Sequence, residues 1–203
     1  MKKFATLVLL VFFVSSCKES NKNSEVENKT IEISKNAATA KTKSQNTTTY
    51  LCKINGRDWA YTKASGIVST HARTKKRTAL ITFKKKLEKG SESIQLHYDA
   101  DSFELEVVSV QLKFSKKDGK LFTCFYDLHP DTRDRYPESE LSGSIDLSDL
   151  TTASGIAELK NINIKYEKES LQNSEDAIIN ITGLKFTNVG YSDIDKFVKS
   201  YKK

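Results

Sequence analysis

The chain has 203 residues, 33 of them Lys or Arg against 26 Asp or Glu, with three cysteines, two prolines and a formal charge of +7. Two lysines fall in the first 16 residues and six in the next 33, so Tyr50 to Lys203 keeps 25 basic against 22 acidic residues. That balance describes a mixed solvated surface and excludes a nucleic-acid-binding field.

The chain opens with Lys2 and Lys3, an apolar run from Phe4 to Val14 broken only by Thr6, and then Ser15-Ser16-Cys17. A charged start, a short apolar core and small residues are the marks of a secretory signal. The run is 11 residues long, whereas a spanning helix needs ~20. Val14-Ser15-Ser16-Cys17 resembles the bacterial lipobox. The resemblance implies cleavage after residue 16 and a diacylglyceryl thioether on Cys17. Each buried CH₂ of such a chain adds ~0.8 kcal/mol to membrane attachment. Lys18 stands where Asp would resemble an inner-membrane retention signal, so the expected address is the outer membrane, facing the periplasm or the cell surface.

Lys18 to Thr49 is polar, without an aromatic residue. Such a segment cannot bury enough apolar surface to offset its ordering entropy. Residues 17–49 therefore read as a lipidated cysteine and a disordered tether, with a root-mean-square span of ~30 Å. Residues 50–203 read as one globular domain.

Within the domain, period-2 patterning dominates. Ile54-Asn55-Gly56-Arg57 reads as a tight hairpin between Cys52/Ile54 and Trp59/Tyr61, because Asn-Gly accepts the positive φ that hairpin turns demand. Ala79, Ile81 and Phe83 alternate with polar or outward residues, as do Ile94, Leu96 and Tyr98. Phe103, Leu105 and Val107 share one phase, and Val108, Val110, Leu112 and Phe114 take the other. A change of one residue swaps faces and predicts a bulge. Asp118-Gly119 predicts a hairpin back into a strand at Leu121 to Leu128. Further strands are expected over Leu141 to Leu147, Ala157 to Tyr166 and Ala177 to Phe186, with a polar loop from Glu167 to Glu175. Ser192 with Asp195 resembles a capping box, and Ile194, Phe197, Val198 and Tyr201 follow at helical spacing. The expected fold is mainly β, an antiparallel β-sandwich or open barrel with one short C-terminal helix.

Cys52-Lys53-Ile54-Asn55-Gly56-Arg57-Asp58-Trp59 and Leu141-Ser142-Gly143-Ser144-Ile145 resemble motifs of small Flavobacterium-type lipoproteins of the Bacteroidota. Those proteins follow a lipidated Cys and a polar tether with a β-rich domain. The resemblance implies a fold type and a host group but no activity. The chain departs from that pattern by ending in a charged helix rather than a strand.

Cys52 and Cys124 each sit in an apolar strand-like stretch. A bridge between them would close a loop of about 72 residues, worth ~4 kcal/mol on a chain-entropy argument; two buried thiols that never meet are the other reading. The most unusual stretch runs from Asp127 to Pro137, with Asp127, His129, Asp131, Arg133, Arg135 and Tyr136 as a candidate binding loop. Binding residues gather on loops carried by rigid scaffolds. Its single His and spaced carboxylates do not make a metal site, and a salt-bridged connecting loop is the plainer reading. Asp99 and Asp101 read as a turn, since the Gly and distal Glu of a calcium loop are missing. His71 and His97 are lone strand histidines, and Trp59 reads as core. No nucleophile elbow, zinc-helix or phosphate-loop pattern occurs.

The expected function is that of a non-catalytic, lipid-anchored envelope protein that binds or assists another envelope macromolecule, with no cofactor and no nucleic acid. The alternatives are an immunity lipoprotein that neutralises a toxin, or a carrier of a hydrophobic or glycan ligand within a barrel. The basic runs at Arg73, Lys75, Lys76, Arg77 and at Lys84, Lys85, Lys86 leave room for an anionic partner.

Overall fold

The structure, a computed structural model, describes residues 47–196. The signal segment, Cys17, nearly all of the tether and residues 197–203 lie outside the described residues. Ten strands carry the fold: β1 Thr49–Ile54, β2 Arg57–Tyr61, β3 Lys63–Thr70, β4 Arg77–Lys86, β5 Ser91–Asp99, β6 Leu105–Ser115, β7 Leu121–Leu128, β8 Glu140–Asp146, β9 Thr152–Asn163 and β10 Ile178–Asp193. They form one sheet that is not closed. It folds over at β10 into a sandwich-like pair of layers, β8-β9-β10-β1-β2 and β10-β3-β4-β5-β6-β7. Every strand pair is antiparallel except one. The last residues of β10 run parallel to β3, with Tyr191, Ser192 and Asp193 opposite Gly66, Ile67 and Val68.

The hairpins form where turn chemistry demands them. Asn55 and Gly56 both take positive φ, 47° and 77°, and Ile54 pairs with Arg57 across the turn. Gly119 takes φ 79° at the β6–β7 turn, where Lys116 and Lys120 are hydrogen-bonded. The change of phase entering β6 is also real. Leu105 pairs with Tyr98 and Val107 with His97, which leaves Glu106 as the extra residue of a bulge. Leu105, Val108, Val110 and Leu112 are all buried. Phe103 is not part of that face. It lies in the preceding turn at φ 64° and is 45% exposed.

Three expectations need correction. The strand expected over Ala157 to Tyr166 is β9, which starts at Thr152 and ends at Asn163. The strand expected to stop at Phe186 continues to Asp193. Its buried residues step Ile179, Ile181, Leu184, Phe186, Val189, and each step of three falls on a register shift against β9. Bulges reset the alternation there and hide the strand's full length from a period-2 count. Ser192 does not cap a helix, because it lies within β10; the helix begins at residue 194. Asp195 instead accepts hydrogen bonds from the Thr70 amide and hydroxyl, at 3.2 and 2.7 Å.

The core lies between the layers. Phe83, Tyr98 and Phe186 meet there, with ring centroids 5.3 and 6.4 Å apart about Phe186. Each large apolar side chain buried in this way contributes about 1.5–3 kcal/mol. The Tyr98 hydroxyl donates to the Ile156 carbonyl at 3.1 Å, so its polar tip is satisfied across the sandwich. Isolated bridges, Glu104 to Ser144 and Tyr126 to Ile164, tack the layers together along their free margins.

Candidate functional site

The stretch Asn55 to Trp59 does more than turn a hairpin. It brings Arg57, Asp58 and Trp59 to the rim of a cleft of about 240 Å³, opposite Glu92, Lys113 and Phe114 from β5 and β6. Trp59 is 4% exposed, in line with its expected place in the core. Its indole Nε1 donates to Glu92 Oε2 at 3.0 Å. The Lys113 amide donates to Glu92 Oε1 at 3.2 Å, and Lys85 Nζ stands 3.3 Å from Oε2. The Glu92 side chain is 12% exposed. A carboxylate taken so far out of water is tolerable only when its lone pairs are occupied, and all three partners are in place.

The second half of the cleft is cationic and aromatic. Arg57 pairs with Asp176, whose side chain is 8% exposed, and its guanidinium lies 5.8 Å from the centre of the Phe114 ring. The Tyr126 hydroxyl donates to the Asp176 carbonyl, which fixes that turn against β7. Arg57 itself remains 62% exposed. It is therefore a donor fork held on a fixed base and open to solvent. Arg on a rigid support is among the residue types enriched in binding hot spots. The sequence motif showed the turn; it did not show that Glu92, more than 30 residues away, completes the site.

The loop from Asp127 to Pro137 is ordered but disperses its candidate residues. Asp127, next to last in β7, accepts from Ser109 Oγ at 2.6 Å, with Lys165 Nζ at 3.4 Å. Residues Pro130–Arg135 form a short 3-10 helix. The Thr132 hydroxyl accepts from the His129 amide and donates to the His129 carbonyl, closing the turn. Arg133 reaches the Glu106 carbonyl at 3.5 Å. Asp131 and Arg135 are exposed, and Tyr136 is half-buried. Among the described residues no three of His, Cys, Asp and Glu converge on a point that could hold a metal ion. Asp99 accepts from the Asp101 and Ser102 amides at 2.8 and 3.0 Å, the turn that the sequence suggests.

The loop also brings His129 within electrostatic range of His97. His97, on the outward face of β5, is opposite Leu80 on β4 and Val107 on β6. Burial, and then the neighbouring His129, hold its pKa below the ordinary histidine value. Cys52 and Cys124 are both buried and unbridged, so of the two sequence readings the structure has separate thiols. Burial pushes Cys52 up to about 12 and Cys124 up to about 11. Both stay protonated at neutral pH and are packing groups, since the thiolate is the reactive form.

Comparison with known protein families, with curated proteins and with solved structures returns no match.

Proposed function

We propose that this chain is a lipid-anchored envelope protein whose β domain binds another macromolecule of the envelope without transforming it. The observation that carries the binding half is the cleft of Arg57, Trp59 and Phe114, in which both buried carboxylates are already paired within the fold. Glu92 and Asp176 hold the cleft's shape; the exposed Arg57 fork and the rim residue Asp58 are left to meet a partner. The sandwich interior is filled by side chains such as Phe83, Tyr98, Tyr126 and Phe186, which favours recognition at the surface over carriage of a ligand between the layers. The anchoring half rests on the lipobox resemblance at Val14 to Cys17 and the polar tether behind it.

Two measurements test the two halves separately. Mass spectrometry of the native protein should find Cys17 as an acylated N-terminal residue; an unmodified thiol there overturns the anchor. Affinity purification from detergent-solubilised envelopes should return one stoichiometric partner with the wild-type chain, and Asp58→Arg should lose it. Asp58 is 69% exposed and pairs with the half-exposed Lys53, so reversing its charge leaves the core intact. Equal recovery by both chains, or no stoichiometric partner, overturns the binding site. A toxin gene adjacent to this one would point to the immunity version of the same reading.

A further inference from the structure

Several lysines on or beside these strands have a carboxylate close by: Lys53 has Asp58, Lys76 has Glu106 and Asp99, Lys160 has Glu140. Lys63, Lys84 and Lys86 differ. Lys63 on β3 is directly opposite Lys84 on β4 in the strand register, and Lys86 lies on the same face two residues on. All three are exposed. They line a depression of about 550 Å³ whose other walls are Thr62, Gly90 and Ser91, none of them charged. Like charges directly opposite on neighbouring strands destabilise a sheet. The adjoining turn brings one acid, Glu88, and one further base, Lys89, so the neighbourhood stays positive. Thr62 fixes the geometry from beneath: its hydroxyl donates to the Lys84 carbonyl at 3.0 Å and accepts from the Lys86 amide at 3.1 Å.

A second observation says what this surface faces. The chain enters the domain beside it. Thr49, the first residue of β1, pairs with Tyr61, and Tyr61 is followed at once by Thr62 and Lys63. Whatever holds the N-terminal segment is therefore attached at the lysine end of the fold.

We infer that the depression lined by Lys63, Lys84 and Lys86 docks the domain on an anionic phospholipid surface, its ammonium groups meeting headgroup phosphates. The inference draws on the membrane-anchored reading only for the nearness of that surface. The anchor supplies residence on the bilayer, and the lysines supply orientation. They turn the tether end toward the headgroups and leave the rest of the domain free. Lysine suits the task, because a compact, mobile ammonium binds phosphate without demanding a fixed angle, and basic residues at an anionic leaflet each strengthen attachment by roughly fivefold.

The test uses the chain from position 17 onward with Cys17→Ser, so that no acyl chain contributes. The protein is co-sedimented at low ionic strength with vesicles of phosphatidylcholine alone and of phosphatidylcholine with phosphatidylglycerol. Binding to the anionic vesicles only, reversed by added salt, is the expected result. The triple variant Lys63→Gln, Lys84→Gln, Lys86→Gln should bind roughly a hundredfold more weakly, while Arg73→Gln with Lys117→Gln, in turns outside the depression, should bind within a few-fold of the parent. Equal sedimentation with both vesicle types, or a triple variant that binds like the parent, overturns the inference. So does release by millimolar inorganic phosphate at constant ionic strength, which would mark a site for a free anion. Because this protein cannot be acylated, these results stand apart from the Cys17 measurement: an unmodified native thiol removes the anchor and leaves the lysine surface to be judged on its own data.

Discussion

His97 shows how a side chain with no motif around it can acquire a property from the fold. It stands between Leu80 and Val107 on the outward face of the second layer, and His129 approaches it from the loop that follows β7. Its protonated form is disfavoured in the native state by burial first and by the second imidazole next. The unfolded chain then binds a proton more readily than the folded one as pH falls past about 6.5, and folding loses stability in that range. Asp99, Asp118 and Asp146 are held below the ordinary carboxylate value by amide donors, and Asp149, held chiefly by Thr151, sits at about 2, so they titrate below this window. The melting temperature should fall between about pH 7 and about pH 5, and His97→Gln should flatten that slope; an unchanged slope in the variant would rule His97 out as its source. The sequence shows both histidines, but it does not show that a loop carries one to the other. The same holds for Glu92. A glutamate in a serine-rich strand start, Ser91-Glu92-Ser93, reads as solvent-facing until the β1–β2 hairpin is laid over it.

At the scale of elements, legibility follows turn chemistry and unbroken alternation. The Asn55-Gly56 and Asp118-Gly119 hairpins, the strand from Leu121 to Leu128 and the bulge entering β6 all stand in the sequence, because each is fixed by local backbone or by neighbours in the same strand. β3 does not stand there. Its stretch Lys63–Thr70 has only two large apolar residues, adjacent to each other, with Val68 buried and Ile67 44% exposed. Its place is set by β10. A Cβ at Gly66 would lie 2.7 Å from the Cβ of Tyr191 and 2.9 Å from Ile81 Cδ1, so the single parallel contact of the fold requires a residue without a side chain there. Gly66→Val should cost about 1–3 kcal/mol through overpacking. The control is Gly190→Ala, one residue before Tyr191, where an added Cβ meets nothing within 4 Å. Thermal unfolding of the two variants should separate them; equal melting temperatures would remove the close approach as the reason for Gly66.

For the molecule as a whole, β10 is the strand that makes two layers one body. It pairs with β9 along one edge and with β1 and then β3 along the other. A β-rich class was legible from alternation alone. The fold-over was not, because it depends on pairings such as Lys53 with Thr182, about 130 residues apart, which no local pattern encodes. Removing residues from Ile178 onward should leave no stable remnant: β1, β3 and β9 would each lose a partner, and circular dichroism should show no cooperative melting transition. A truncated chain that still melts cooperatively would show that the layers hold without their shared strand.

The position of that strand in the chain carries a further meaning for biogenesis. Non-local pairing is slow, since loop entropy must be spent before the contacts repay it. Here the segment that joins both layers comes after the other nine strands in chain order. Hairpins β4 to β7 can form early, but the sandwich has no seam until β10 joins the other nine strands. Placing the joining strand after its partners delays locking of the globule until β1, β3 and β9 are all available to it, so the order of closure is written into the order of strands.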